Sequence, residues 1–420
     1  MRILALSINY WPEETGIGAV VTRRCEYLAS VGHEVTICTG MPYYPEWQVH
    51  RDYKGKIFHR EERNGVTILR SWLWVPKKVT SAKRVIFEGS FLASSLLRAF
   101  GARRPELLLV VSPPLGLAVS ARILSRRWGI PYIFDVEDLQ PDAASDLGML
   151  PRPVLPFLYR LEAMAYRKAA LITTVTEGMR RKIIAKGLPE DTVVVTPPPA
   201  DQSMFEVGSA ADSAQFRAQH GLEGKFIVAH SGNMGVKQGL DLVLEAAERL
   251  RESRGIVFLL AGDGAMKHHL QSRAATLKLD NVRFLPLQER ADFLKMLAAI
   301  DLALIVQQST VSDIAFPSKT VTLLAAARPV LAAVRANSEI GWVIHQSAGG
   351  VVIQPGDADG LVDAIQQLEN PSILASMGKS GRRYALQHWD ESRILPEFES
   401  HLMRAAGAAE KVLAAAQPAA

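Results

Sequence analysis

The chain has 420 residues, 48% of them apolar and 22% charged, which excludes a disordered chain and predicts two α/β cores of about 150–200 residues each. Two cysteines, Cys25 and Cys38, cannot make a disulfide framework, and no Cys/His spacing suits zinc; both read as small buried apolar residues in a reducing compartment. The net charge of +5 is unevenly placed: residues 1–200 hold 27 Lys and Arg against 19 Asp and Glu, the remaining 220 hold 21 against 24, which suggests an anionic surface or ligand for the first half or, equally, ordinary surface charge.

In chain order, MRILALSINYWPEE opens with an apolar run of only six or so residues followed by Trp-Pro-Glu-Glu. A signal sequence would continue into a small-residue cleavage site, so this run predicts a buried first strand and a cytoplasmic protein. Further strands are expected at Glu34–Thr39, Val66–Arg70, Leu107–Ser112, Tyr132–Asp135, Leu171–Thr174 and Val193–Thr196. The apolar stretch 107–124 contains Pro113, Pro114 and Arg122 and makes a poor membrane span. Pro197-Pro198-Pro199 can continue neither a helix nor a central strand and marks a domain boundary, placing one domain at 1–200 and a second at 201–390.

The second half repeats the βα alternation. Strands are expected at Phe226–Ser231, Val257–Ala261, Val282–Leu285, Leu302–Val306, Val330–Ala333 and Val351–Ile353, with helices at 240–251, 291–299, 318–327 and from Asp357. A helical stretch at 391–403, interrupted at Pro396, is expected to pack back on the first domain, and the Ala-rich tail 404–420 to fray into disorder.

Several segments carry chemistry. Asn9 to Gly18 leads from a strand into a helix, and Gly16 and Gly18 would let backbone N–H groups approach a phosphate or sugar. A dinucleotide fingerprint is disfavoured, because position 21 is Val21 and the second strand closes on Thr39-Gly40 without an acidic residue. Gly262-Asp263-Gly264 ends a strand where open α/β sheets bind ligands. Asp135, Glu137, Asp138 and Asp142 put four carboxylates just past another strand; like charges so close raise one another's pKa, though they could equally cap the next helix or pair with Arg152.

Thr15–Gly18, Gly32-His33-Glu34-Val35, His230-Ser231-Gly232-Asn233-Met234-Gly235, Ala261-Gly262-Asp263-Gly264 and Phe316-Pro317-Ser318-Lys319 recur in this order in family-4 glycosyltransferases of the GT-B fold. Across residues 1–390 the chain resembles this family, most of all the members that build bacterial exopolysaccharides of the colanic-acid type. The resemblance implies two Rossmann-like domains facing a cleft. It also implies retaining transfer from a nucleotide-diphosphate sugar to a glycan or lipid-linked acceptor, with no metal or cofactor and no nucleic acid.

The resemblance places the donor diphosphate by Gly232, Asn233 and Lys237. Asn233 stands where the family has arginine, so Lys237 and Lys319 must supply more of the positive charge. Ser318 is expected to cap the helix that Lys319 enters. The family's glutamate pair falls on Ile314 and Thr322; Thr322 can still bond a ribose hydroxyl, and Asp313 stands in on the sugar. Leu285-Pro286-Leu287 matches the loop whose backbone, around Leu287, holds the base. Asp138 and Glu137 are the nominees for acceptor positioning.

The segment Arg70 to Lys78, with Trp72 and Trp74, runs on through Lys83-Arg84 into Val85, Ile86, Phe87, Phe91, Leu92, Leu96 and Leu97. Tryptophan beside lysine and arginine is an interfacial signature for the inner face of a membrane, and the same apolar set also suits a core helix face. Two other readings of the whole chain stand beside transfer: a nucleotide-sugar 2-epimerase, which needs a cleft histidine that the ten histidines do not group to provide, and a non-catalytic scaffold, suggested by the lost glutamate pair.

Overall fold

The computed structural model describes residues 1–14, 16–78, 80–146, 152–253, 255–310 and 318–415. They form two compact units: Met1–Pro198 with Ser392–Ala420, and Pro199–Glu391. Each unit is a mainly parallel sheet with helices on its faces.

The first unit contains β1 (Arg2–Leu6), β2 (Glu34–Gly40), β3 (Phe58–Arg63), β4 (Val66–Ser71), β5 (Leu107–Ser112), β6 (Tyr132–Val136), β7 (Leu171–Thr174) and β8 (Val193–Val195), in the spatial order β3-β4-β2-β1-β5-β6-β7-β8. Central strands such as β5 are buried at every position, which is why they read as unbroken apolar runs rather than alternating ones. Only β3 runs antiparallel, and its charged sequence FHREER carries no strand signal of the apolar kind used to find the others. It is an edge strand joined to β4 by Asn64-Gly65, both at positive φ as a two-residue hairpin turn requires.

The second unit contains β9 (Phe226–Asn233), β10 (Ile256–Asp263), β11 (Val282–Leu285), β12 (Leu302–Val306), β13 (Val330–Ala333) and β14 (Gly350–Ile353), all parallel, in the order β11-β10-β9-β12-β13-β14. Alternate residues of each strand feed two cores: Ile227 and Leu259 pack with the helices Arg290–Ala299 and Ser318–Ala325, Val228 and Phe258 with the helices Asp241–Arg249 and Ala358–Leu368. In both sheets strand order reverses at the first strand of the unit, β1 against β5 and β9 against β12. Such reversals leave a crevice at the carboxyl ends of the strands.

The last helix, Glu391–Ala415, belongs to the first unit. Phe398 and Leu402 are fully buried in the core beside β1, and the Glu399 carboxylate accepts from the Tyr27 hydroxyl (3.1 Å) and meets His33 Nε2 at 3.0 Å. The expected break at Pro396 does not occur: proline forfeits one N–H, while burial of the flanking apolar face carries the helix through it. The expected fraying from Arg404 is likewise corrected, since helix continues to Ala415; residues 416–420 lie outside the described residues. No helix among the described residues is long and apolar enough to cross a membrane.

Candidate active site

At the carboxyl edge of the second sheet, β9 and β10 run in register through Gly232↔Gly262 and Asn233↔Asp263. Gly232, Gly262 and Gly264 have φ of +114°, +143° and +151°, a region closed to side-chain-bearing residues. Space closes it as well: a Cβ on Gly262 would sit 1.9 Å from the Gly232 carbonyl oxygen. The loops beyond are latched by Met234 N–H to Asp263 O (2.7 Å) and Met266 N–H to Met234 O (2.9 Å). Bare backbone thus lines the edge.

Lys319, in the first turn of the helix Ser318–Ala325, lays its stem over that glycine floor; a Cβ on Gly232 would meet its Cε at 2.7 Å. Its Nζ lies 3.4 Å from His230 Nε2, and His230 Nε2 is 3.3 Å from the Asn233 carbonyl. Burial pushes the Lys319 ammonium down to about 8. Burial, and then the neighbouring Lys319 charge, push His230 down to about 3, so the imidazole is neutral. Among the described residues no carboxylate opposes the Lys319 shift, for which burial is the one cause. A cation set at a helix start on a glycine floor, with no carboxylate partner among the described residues, is an arrangement suited to a phosphate ester.

The other residues expected here are distributed unevenly. Asn233 is exposed at the end of β9, and its side chain lies against Gly235 and Gly264. Lys237 is exposed in the turn Val236–Gln238, where its carbonyl accepts from Gln308 N–H (2.9 Å). Leu287 is 73% exposed beyond β11. Thr322 is half-buried one turn beyond Lys319. Ser318 is exposed and has helical backbone in the element Ser318–Ala325, directly after residues that lie outside the described ones. Asp313, with Ile314 and Pro317, lies outside the described residues. His230, quoted in its motif but not nominated, is the residue the sequence reading missed; its burial beside a cation is a through-space fact that spacing does not carry.

In the first unit the acidic segment resolves into pairs. The Arg24 guanidinium, fully buried, donates to Asp135 Oδ2 (2.5 Å), Glu137 Oε1 (2.9 Å) and the Thr196 carbonyl (2.7 Å), and lies 4.7 Å over the Phe398 ring. Asp135 also accepts from the Thr173 hydroxyl (2.6 Å). Burial holds Glu137 above the usual carboxylate range, with Arg24 opposing and Asp135 and Asp138 reinforcing the shift. Asp142 pairs instead with Lys186 (2.6 Å). Glu137 therefore faces Arg24, while Asp138 is half-buried just past β6.

Gly16 opens the helix Gly16–Ser30 at φ +61° with open space where a side chain would project, whereas Gly18 is buried and a Cβ there would meet Glu13 Cβ at 2.9 Å. Glu13, itself buried, accepts from the Tyr43 and Tyr44 backbone N–H groups (3.1 and 3.0 Å) and from Asn9 Nδ2 (2.7 Å). Burial raises its pKa against the pull of those donors. Gly18 makes room for a carboxylate that ties two loops together.

The Trp-rich segment divides between the two readings left open above. Arg70 is buried, bonded to Glu61 and to the Trp11 carbonyl (2.6 Å), so it is removed from any interfacial surface. Phe87 and Phe91 are core residues of the helix Ser81–Phe100. On the same helix Val85 (64% exposed), Ile86 (57%) and Leu97 (65%) face outward, with Trp72, Trp74, Lys77, Lys78 and Lys83 exposed nearby in sequence and Leu92 and Leu96 half-buried.

Two Rossmann-like units, the second with a glycine-floored cationic niche at its carboxyl edge, have the architecture of the double-Rossmann glycosyltransferases. The glycosyl transferase 4-like domain family matches residues 15–199, and the glycosyl transferases group 1 family matches residues 212–384. WcaI of Escherichia coli (strain K12), named for colanic acid biosynthesis, is 33% identical over 407 residues, 95% of this chain and 98% of that one. WbjE of Pseudomonas aeruginosa, a glycosyltransferase by name, is 27% identical over 71% of this chain and 74% of its own. Among solved structures, Anabaena Alr3699/HepE in complex with UDP superposes with a TM-score of 0.73 at 18% identity, over 96% of this chain and 100% of that one. The chain belongs to this glycosyltransferase family and is a glycosyltransferase.

Proposed function

We propose that the protein transfers a sugar, with retention, from a nucleotide-diphosphate donor to a lipid-linked glycan acceptor during exopolysaccharide synthesis at the inner face of a membrane. The observation that carries the donor half is Lys319: a cation on the Gly232–Gly262 floor, at a helix start, with no carboxylate partner among the described residues. The relative named for colanic acid biosynthesis supports the exopolysaccharide setting.

In this reading the donor diphosphate lies on the N–H groups past β9 and at the start of the helix Ser318–Ala325, with Gly232, Asn233, Gly262, Ser318 and Lys319 around it. Lys237 adds charge from the rim, Thr322 and Asp313 serve the ribose and sugar, and the backbone at Leu287 holds the base. The C1–O bond to the diphosphate breaks as the acceptor oxygen bonds C1 on the same face. The acceptor's proton passes to the departing phosphate oxygen, and Lys319 offsets the charge that develops there. Asp138 positions the acceptor; Glu137, through Arg24, fixes the strand end that carries it. Gly16 and Gly18 shape the loop after β1 in the first unit. No resident metal or cofactor has a part, so EDTA should leave turnover unchanged.

Membrane attachment is assigned to the outward stripe Val85, Ile86 and Leu97 with the lysines 77, 78 and 83, apolar surface and positive charge together. Calorimetry with UDP, GDP and TDP tests the donor reading: at least one should bind, and Lys319→Ala should weaken it by about 1–3 kcal/mol. Equal affinity in both proteins, or no binding by any, would refute it. Stereochemistry follows from NMR of the anomeric proton in the product, and vesicle flotation with and without anionic lipid tests attachment.

A further inference from the structure

Of the elements that meet at the second unit's niche, β9 holds one ionisable residue, His230, the helix Ser318–Ala325 holds one, Lys319, and β12 holds none. β10 adds Asp263, which is exposed, accepts from the Gly264 N–H (2.8 Å) and lies 4.0 Å from Lys267. Lys237 is exposed on the turn after β9. The charge that acts on the His230 imidazole is that of Lys319.

His230 is 1% exposed, and a neutral imidazole has one N–H and one bare nitrogen. Two polar neighbours reach Nε2, and they make opposite demands on it. The Asn233 carbonyl, at 3.3 Å, can only accept; the Lys319 ammonium, at 3.4 Å, can only donate. Nδ1 is buried without a hydrogen-bond partner of normal geometry, and the Leu304 backbone of β12 adjoins the ring. With its proton on Nδ1, the ring holds the ammonium and leaves the Asn233 carbonyl unserved. With the proton on Nε2, it serves the carbonyl and turns an N–H against the ammonium. No single neutral form makes both contacts, so the ring has two states that treat Lys319 in opposite ways. A carboxylate at 230 would neutralise Lys319 and compete with an incoming anion, whereas a neutral ring orients the ammonium and leaves its charge available.

We infer that His230 is a positioning residue of the donor site: it holds the Lys319 ammonium through Nε2 while the site is empty, and exchanges it for the Asn233 carbonyl when a diphosphate oxygen takes the ammonium. In the exchange one proton leaves Nδ1 for water and one returns from water to Nε2, with no net uptake. Binding thereby ties the end of β9 to the ring. The inference rests on the donor reading of Lys319 and adds the residue that presents it.

The test uses the full chain, with UDP, GDP and TDP as probes. NMR of isotope-labelled histidine near neutral pH should show His230, identified by the signal lost in His230→Gln, as the Nδ1–H form without nucleotide and as the Nε2–H form at saturation. His230→Phe keeps a planar ring and removes both nitrogens. Without the bare nitrogen the ammonium is less favoured, so the pH at which nucleotide affinity falls should move from about 8 towards about 7. Affinity should then drop about fivefold near pH 8 and less than about twofold near pH 6. His230→Gln, whose amide offers a carbonyl to Lys319 and an N–H to Asn233 together, should restore most of the loss. The inference is overturned by an Nε2–H ring in the empty site, by a tautomer that nucleotide leaves unchanged, or by a loss in His230→Phe that is equal at every pH. Should His230→Phe fold poorly, the tautomer measurement on the unaltered chain decides alone. Failure of the donor reading, which the inference does not survive, would look different: no nucleotide diphosphate binds at any pH, whichever residue stands at 230.

Discussion

The carboxyl edges of the two sheets place charge in opposite ways. In the first unit the buried Arg24 has Asp135 and Glu137 as counterparts, and the buried Glu13 has three N–H donors. In the second, Lys319 rests on glycines beside a neutral histidine, with no anion among the described residues. Removing one partner of a buried pair strands the other charge and costs stability, whereas a cation with no carboxylate partner among the described residues is free of that cost and is suited to an incoming anion.

Breaking each edge should therefore give opposite phenotypes. The largest effect is expected for Arg24→Met, which strands two buried carboxylates and should cost about 3–5 kcal/mol in urea unfolding, with nucleotide affinity of the folded fraction unchanged. Gly262→Ala comes next, since its methyl has no space beside the Gly232 carbonyl and its φ is unsuited to alanine; a loss of at least about 1–3 kcal/mol is expected, together with weaker nucleotide binding. Lys319→Met should invert the Arg24 result, leaving Tm equal or higher while lowering nucleotide-diphosphate affinity by roughly 1–3 kcal/mol. If Lys319→Met destabilises the protein as Arg24→Met does, the contrast between the edges fails.

A pH titration sharpens the same contrast. Lys319, pushed down to about 8, is charged below that pH and neutral above it, so diphosphate affinity should fall as pH rises through 8. Lys319→Arg, charged throughout, should remove that fall. The smallest effect belongs to exposed Lys237→Ala, expected to change nucleotide affinity by less than about twofold with no shift in Tm.

What the chain discloses in advance follows from where its signals lie. Buried parallel strands are legible because both faces are apolar, and the glycines at 232, 262 and 264 because positive φ leaves little choice of residue. β3 escaped because an edge strand needs no apolar face, although Asn64-Gly65 marks its turn plainly. Partnerships over long separations were closed to inspection. Within the acidic cluster at the end of β6, Asp135 and Glu137 pair with Arg24, 111 positions before Asp135, and Asp142 with Lys186, 44 positions on. The Glu13 cage likewise joins separate segments that only the folded topology brings together.

One hydrogen bond at the margin of the second unit has a consequence of another kind. Ala200 N–H donates to the Trp389 carbonyl at 2.8 Å, so the two ends of a segment nearly two hundred residues long meet. A segment with adjoining ends behaves as an insert in its host, exchangeable without rerouting the chain on either side. The segment is thus suited to being inherited or engineered as a cassette, while the flanking halves, including the distant final helix, travel as an indivisible pair.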